Sequence, residues 1–277
     1  MAISTNALRF AAIATGVLFH AAAQESVPPV YFFHTTIFLT PDTYEAFTGS
    51  PLLRDDFSLS RESTPVNGSG HISTAFYLVG MHTYLELSRA DPSPSAQAPV
   101  GRIDVGMWID HRSLLPTLRD RLELPEIKTR LNAQNQPAFD FLARDLSANK
   151  RVATWVSAVY PDGRTRDRPN YKPDRLFHDV FAYTITVNAE EREQLLKWFR
   201  AYAYKIREDG EKRIATGPEF TFTMLPEPAK GPRTASIEMT LNREKTGEQT
   251  YKLGDSELKF NKTRATLTFY FPQPDRH

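Results

Sequence analysis

Three stretches of the 277-residue chain repeat one design: an apolar β-type run, a helix-capping residue, then an amphipathic helical pattern. The first is VYFFHTTIFLT followed by PDTYEAF, where Thr40 can cap the helix and Pro41 suits its first turn. The second is GRIDVGMWID followed by HRSLLPTLRDRLEL, with Asp110 as the predicted cap and Leu114, Leu115, Leu118 and Leu122 as an apolar stripe. In the third, DVFAYTITV runs into NAEEREQLLKWFRAY. There Asn188 and Glu191 have capping-box spacing, and Leu195, Leu196 and Phe199 form the buried face. Strands that hand directly into one-sided helices must share a sheet with the helices layered on it.

The gaps between these units read as strands. STAFYLVG and HTYLELSRA form a predicted hairpin around Gly80-Met81, and VATWVSAVY is a further strand. The C-terminal third is β throughout: EFTFTML, TASIEMTL, then YKLGDSELKF with a turn at Gly254-Asp255, then TRATLTFYF. Proline-rich and charged loops fall at 91–99 and 161–175. The expected fold class is α+β, with β-α-β-β-β groups at both ends (24–100 and 176–277). An inserted β-α-β segment and an arginine-rich loop fill 101–175.

Residues 1–23 look like a removable leader. Arg9 is their one charge, an apolar stretch of about ten residues follows at Phe10–Phe19, and Ala21-Ala22-Ala23 ends it. That stretch is too short to span a bilayer and lacks the amphipathic spacing of a buried helix. The expected destination is the periplasm or the medium. With no cysteine in the chain, a disulfide framework is excluded and the core must hold the fold. Loss of Arg9 leaves 33 Lys and Arg (34 less one) against 33 Asp and Glu. A neutral balance without a basic stripe argues against nucleic acid as a partner. No other apolar run reaches membrane-spanning length, so membrane insertion after leader removal is not expected. A G-x-S-x-G elbow, a Walker loop, a dinucleotide fingerprint and an HExxH helix are all missing, which excludes the patterned hydrolases, nucleotide enzymes and zincins.

One acid breaks the apolar rhythm. In GMHTYLELSRA, Tyr84, Glu86 and Ser88 point to one side of a strand while Leu85 and Leu87 point to the other. Glu86 is therefore on a solvated face or aimed into a polar pocket. The stretches HTTIFLTPDTYEAF, SPLLRDDF and GMHTYLEL, with YKLGDSELKF and TRATLTF near the C-terminus, resemble an uncharacterised glyoxalase-like family of the vicinal-oxygen-chelate type. The resemblance implies paired β-α-β-β-β modules forming cupped mixed sheets around a small-molecule site. It also implies metal ligands on the first and last strands of a module. Those places are taken here by His34 and Glu86, with Phe32, Thr36 and Phe38 expected on the same side as His34.

On that resemblance the chain binds a small polar or carbonyl-bearing molecule, either as a metal-assisted lyase, isomerase or dioxygenase or as a non-catalytic sequestering protein. A neutral imidazole and a carboxylate suit one divalent transition metal. Glu86 would serve as metal ligand or general base, and Tyr84, Trp155 and His178 as substrate-binding walls. The pattern departs from the family at the second ligand pair: FAYTITV and TRATLTFYF supply Tyr183 and threonines but no His or acid, leaving Asp104 and His178 as the nearest substitutes.

The remaining histidines have plainer readings, His82 and His111 as surface or capping residues and His71 as exposed. His178 is either structural or a ligand-facing ring steadied by Asp179. Arg164, Arg166, Arg168 and Arg175 stud the 161–175 loop, where interleaved Asp162, Asp167 and Asp174 favour an ordinary solvated loop over a lid gripping an anion.

Overall fold

The computed structural model describes residues 29–65, 72–90, 98–132, 134–162 and 166–272. The leader, His71 and Arg164 lie outside them. The described chain is α+β, two cupped mixed sheets that stay open, with three helices.

The first unit runs β1 (Tyr31–Leu39), α1 (Pro41–Thr48), β2 (Leu59–Pro65), β3 (Ile72–Val79) and β4 (Tyr84–Arg89). The middle unit is β5 (Ile103–Trp108), α2 (Leu115–Leu122), β6 (Lys128–Leu131), β7 (Pro137–Asp145) and β8 (Val152–Val159). The third is β9 (Phe177–Val187), α3 (Ala189–Ala201), β10 (Lys205–Asp209), β11 (Lys212–Thr216) and β12 (Thr221–Pro226), followed by β13 (Arg233–Leu253) and β14 (Ser256–Phe271).

Within every unit the last strand returns parallel to the first: β4 beside β1, β8 beside β5, β12 beside β9. The first and middle units then join through antiparallel β1 and β5 into one eight-stranded sheet, β2-β3-β4-β1-β5-β8-β7-β6. In the six-stranded sheet β10-β11-β12-β9-β13-β14, β13 takes the place beside β9 that β5 takes beside β1, and β14 closes a long hairpin. The middle stretch, expected as β-α-β, is thus a third β-α-β-β-β unit. Its extra strands escaped the sequence because KTRL is wholly exposed and PAFDFLARD buries only Leu142, leaving no alternation to read.

Local signals set the helix starts. Thr40 Oγ1 accepts the Thr43 amide at 3.3 Å, and Asn188 and Glu191 complete a capping box at 2.8 and 3.0 Å. Asp110 is not a cap. It accepts the Trp108 indole N–H at 3.0 Å, and α2 begins five residues later behind a short 3₁₀ turn, without a side-chain cap.

The apolar faces of the two sheets and the three helices share one core. Phe47 of α1 stacks on Phe269 of β14, Phe57 on Phe177, and Phe32 on Phe220, ring centres 4.3 Å apart. A buried ion network adds a polar tie: Arg151, ahead of β8, reaches Glu191 of α3 at 3.1 Å and Glu227 beyond β12 at 2.8 Å. Glu191 is fully buried and also accepts from Ser147 and from the Asn188 amide, so its charge is held inside by these donors.

Candidate functional site

The eight-stranded sheet has one apolar and one mixed face. Register sets His34 opposite Tyr84 and Gly106, Thr36 opposite Glu86 and Asp104, and Trp155 opposite Gly106. All of them point away from the core, whereas Thr35, Ile37, Leu85, Leu87, Val105 and Met107 point into it. Glu86 and His34 therefore share a wall. Glu86 is half-buried and accepts the Thr36 hydroxyl at 3.1 Å.

His34 is the centre of an aromatic stack. Tyr84 lies flat on it, ring centres 4.4 Å apart and planes 13° from parallel, and Trp155 leans on it at 4.6 Å. Tyr77 and Phe33 meet Tyr84 edge-on at 5.7 and 5.2 Å. Gly106 makes this packing feasible: a Cβ there would come within 2.5 Å of the Trp155 ring and 2.9 Å of His34 Nδ1. His34 is only 6% exposed, and Nδ1 has no hydrogen-bond partner. Burial, aided by the nearby Arg168 guanidinium, lowers its pKa from 6.5 to about 3, so the imidazole is neutral.

Phe32, expected beside His34, is on the opposite face. A bulge between Phe32 and His34 places Phe32 against Met107 and turns Phe33 to the His34 side, so Phe32 packs on Phe220 in the core. Strict alternation from sequence cannot register that inserted residue.

The 161–175 loop also departs from its expected solvated state. The Arg168 amide bonds to the Met81 carbonyl at 2.8 Å, and its guanidinium sits 4.3 Å over the Tyr84 ring. Arg166 lies 3.8 Å over Tyr31 and pairs with Glu219 at 2.9 Å. Of the three interleaved acids, Asp174 stays with a loop arginine, Arg175 at 3.8 Å, while Asp162 pairs with Arg112 and Asp167 with His82. Gly106 and Arg168 carried no motif in the sequence; alternation opposite His34 would have pointed to Gly106, and nothing local pointed to Arg168.

His178 does not join this wall. It is the second residue of β9, with Nδ1 3.2 Å from the Tyr171 hydroxyl, and lines a cleft of ≈ 280 Å³ where the first and third units meet. Asp179 steadies His82 rather than His178: His82 Nδ1 is 2.9 Å from Asp179, and Nε2 is 3.1 Å from Asp167. The surface or capping role expected of His82 is therefore replaced by a bridge between two carboxylates.

The donor set fits a resident divalent metal poorly. His34 and Glu86 are two ligands, and the nearest third, Asp104, is bound by Arg102 at 2.7 Å. Burial raises the Asp104 pKa against that pairing. Among the described residues no group of three or more His, Cys, Asp or Glu is placed to hold an ion. An open sheet face, an aromatic wall and a neutral imidazole suit an organic ligand better.

Residues 140–269 match the model of a "Family of unknown function (DUF5829)", a stretch from within β7 to β14 that includes Trp155 and His178 but not His34 or Glu86. No curated protein matches the chain. Among solved structures the chain is similar to a Mn(II)-bound glyoxalase from Novosphingobium aromaticivorans, at 11% identity and TM-score 0.43, covering 84% of this chain and 77% of that one. It is also similar to the 2,3-dioxygenase LapB from Pseudomonas sp. KL28, at 11% identity and TM-score 0.43, covering 91% and 97%. A halotolerant catechol dioxygenase, BphC, gives 10% identity and TM-score 0.42 over 90% and 89%. The fold stands on the strand pairing of the chain itself, and no residue role is carried across. No helix among the described residues is long and apolar enough to cross a membrane.

Proposed function

We propose that the mixed face of the eight-stranded sheet binds a small polar or carbonyl-bearing molecule, and that the protein sequesters this molecule rather than transforming it. One observation carries the reading: a neutral, nearly buried imidazole keeps a hydrogen-bonding atom without a partner at the centre of a half-exposed aromatic wall. Tyr84 and Trp155 give flat apolar area, and Glu86 sets the orientation of a ligand donor beside them.

A metal-assisted lyase, isomerase or dioxygenase reaction would need a further ligand on this wall, and Arg102 competes for the one acid in place, Asp104. Glu86 as a metal-free base remains compatible with binding, because it shares the face and is open to solvent on one side. Export completes the proposal; it rests on the Arg9 and Phe10–Phe19 layout and on the absence of cysteine. N-terminal sequencing of the protein recovered from periplasm and medium tests it, and an intact Met1 would remove it.

Titration with small carbonyl compounds, read through Trp155 fluorescence, tests binding. Saturable quenching that is lost in His34→Phe is expected. Elemental analysis of protein purified without chelators separates the two forms. A stoichiometric transition metal that disappears in both His34→Ala and Glu86→Gln would replace sequestration with metal chemistry.

A further inference from the structure

We propose that the cleft between the first and third units is a second ligand site, for an uncharged ring compound bearing a hydroxyl group, with His178 Nε2 accepting the ligand's O–H. The cleft, ≈ 280 Å³, lies at the small end of ligand sites, roughly 300–1,000 Å³. It is independent of the wall around His34, which supplies none of its lining.

The hydrogen-bond network fixes the state of His178 by elimination. The Asn242 side-chain amide donates to the carbonyls of Arg175 and Phe177 at 2.9 and 3.1 Å, so its oxygen is the acceptor on the other side. The Tyr171 hydroxyl donates its one proton to that oxygen at 2.7 Å. Toward His178, 3.2 Å away, the hydroxyl can then only accept, which places the ring proton on Nδ1. In the neutral ring, Nε2 is left with a lone pair on the edge away from Tyr171, which is not part of the cleft wall. The arrangement is a preset acceptor, as a second-shell partner sets a histidine for a ligand.

The other polar groups of the cleft are already committed. Both His82 nitrogens face carboxylates. Asp179 accepts the Thr83 amide at 2.8 Å, the Thr83 hydroxyl at 2.7 Å and the His82 amide at 3.0 Å. Arg166 is paired with Glu219 and stacked on Tyr31. Arg166 thus meets the opposite charge of Glu219, and the Asp179 carboxylate is satisfied by its hydrogen bonds, which disfavours a charged guest. The stacked Phe32–Phe220 pair and Phe181 supply the apolar surface that a ring requires, and the Thr240 hydroxyl, whose proton goes to the Asp179 carbonyl at 3.3 Å, adds only an acceptor.

Long-range ¹H–¹⁵N spectra of histidine-labelled protein at pH 8 read the tautomer directly. The expected result is a protonated Nδ1 and bare Nε2 for His178. Phenol, myo-inositol and D-galactose are then titrated to millimolar levels. At least one is expected to shift the His178 signals saturably, leaving Trp155 fluorescence unchanged. His178→Phe is expected to weaken that binding about tenfold, the loss of one good hydrogen bond. Tyr171→Phe should release the tautomer toward Nε2–H and weaken binding in the same direction, and it carries the comparison if His178→Phe does not fold. An Nε2–H tautomer in the native protein, no saturable shift with any of the three probes, or unchanged affinity in a folded variant overturns the proposal. The carbonyl titration of the His34 wall is read separately, so failure of one site leaves the other standing.

Discussion

The outward faces of the two sheets follow the same plan and carry different chemistry. On the eight-stranded sheet the parallel pair β1 and β4 presents His34, Tyr84 and Glu86, with Trp155 two strands away. On the six-stranded sheet the parallel pair β9 and β12 presents Thr184 and Thr223, flanked by Ser236, Glu238, Thr266 and Thr268, all half-exposed. Hydroxyls satisfy one another there, as between Ser236 and Thr268 at 3.0 Å. No partnerless buried nitrogen of the kind found at His34 sits among them. Strand topology therefore makes two comparable surfaces, and side-chain choice alone turns one into a candidate site.

The comparison depends first on the two sheets staying joined. Glu191→Ala should leave Arg151 with Glu227 as its one remaining anion and cost up to about 3–5 kcal/mol. Burial already lowers the Arg233 pKa, with Arg151 beside it adding to the effect. Chemical denaturation measures the loss; a midpoint equal to that of the native protein would show that the network does not couple the sheets. Gly106→Ala should act on one face only. The added methyl meets Trp155 and His34 where neither can move freely, at an expected cost of about 1–3 kcal/mol with loss of the Trp155 response.

Acid should also distinguish the faces. The His34 pKa in the folded state, about 3, is below its unfolded value of 6.5, so the unfolded chain binds more protons between them. The contribution of His34 is fully present above pH 6.5 and is lost as pH falls toward 3, at up to roughly 1.4 kcal/mol per unit. The slope is expected to flatten in His34→Phe, and denaturation series at several pH values read the difference. A native-like slope in that variant would move the acid sensitivity elsewhere. Smallest of all, Thr184→Val or Thr223→Val should change stability by no more than about 0.5 kcal/mol and leave ligand-induced Trp155 quenching intact. A large loss of quenching would mean that the threonine face takes part in the same site.

Much of the architecture was legible where its cause is local. Thr40 and the Asn188–Glu191 pair announce their helices because a cap needs only the next three residues. Side-chain alternation set Glu86 on the face opposite Leu85 and Leu87 for the same reason, whereas its pairing with His34 came only from the family resemblance. Asp110 misled because the indole of Trp108, only two residues back, takes its carboxylate once the strand has formed. The edge strand KIRED and its neighbour KRIAT were missed since their stability lies in strand pairing rather than in an apolar pattern. Arg168 was illegible for a tertiary reason: the turn after β3 must first fold before its Met81 carbonyl can fix the loop over Tyr84.

The junction of β1 with β5 has a kinetic consequence. Thr35 and the Asp104 carbonyl it bonds are 69 positions apart, so the first unit makes its four strands with one flank still bare. A nascent chain halted near residue 98 would expose the β1 backbone as a template for any passing strand. Such distant closure predicts slow maturation and a need for chaperoning early in synthesis.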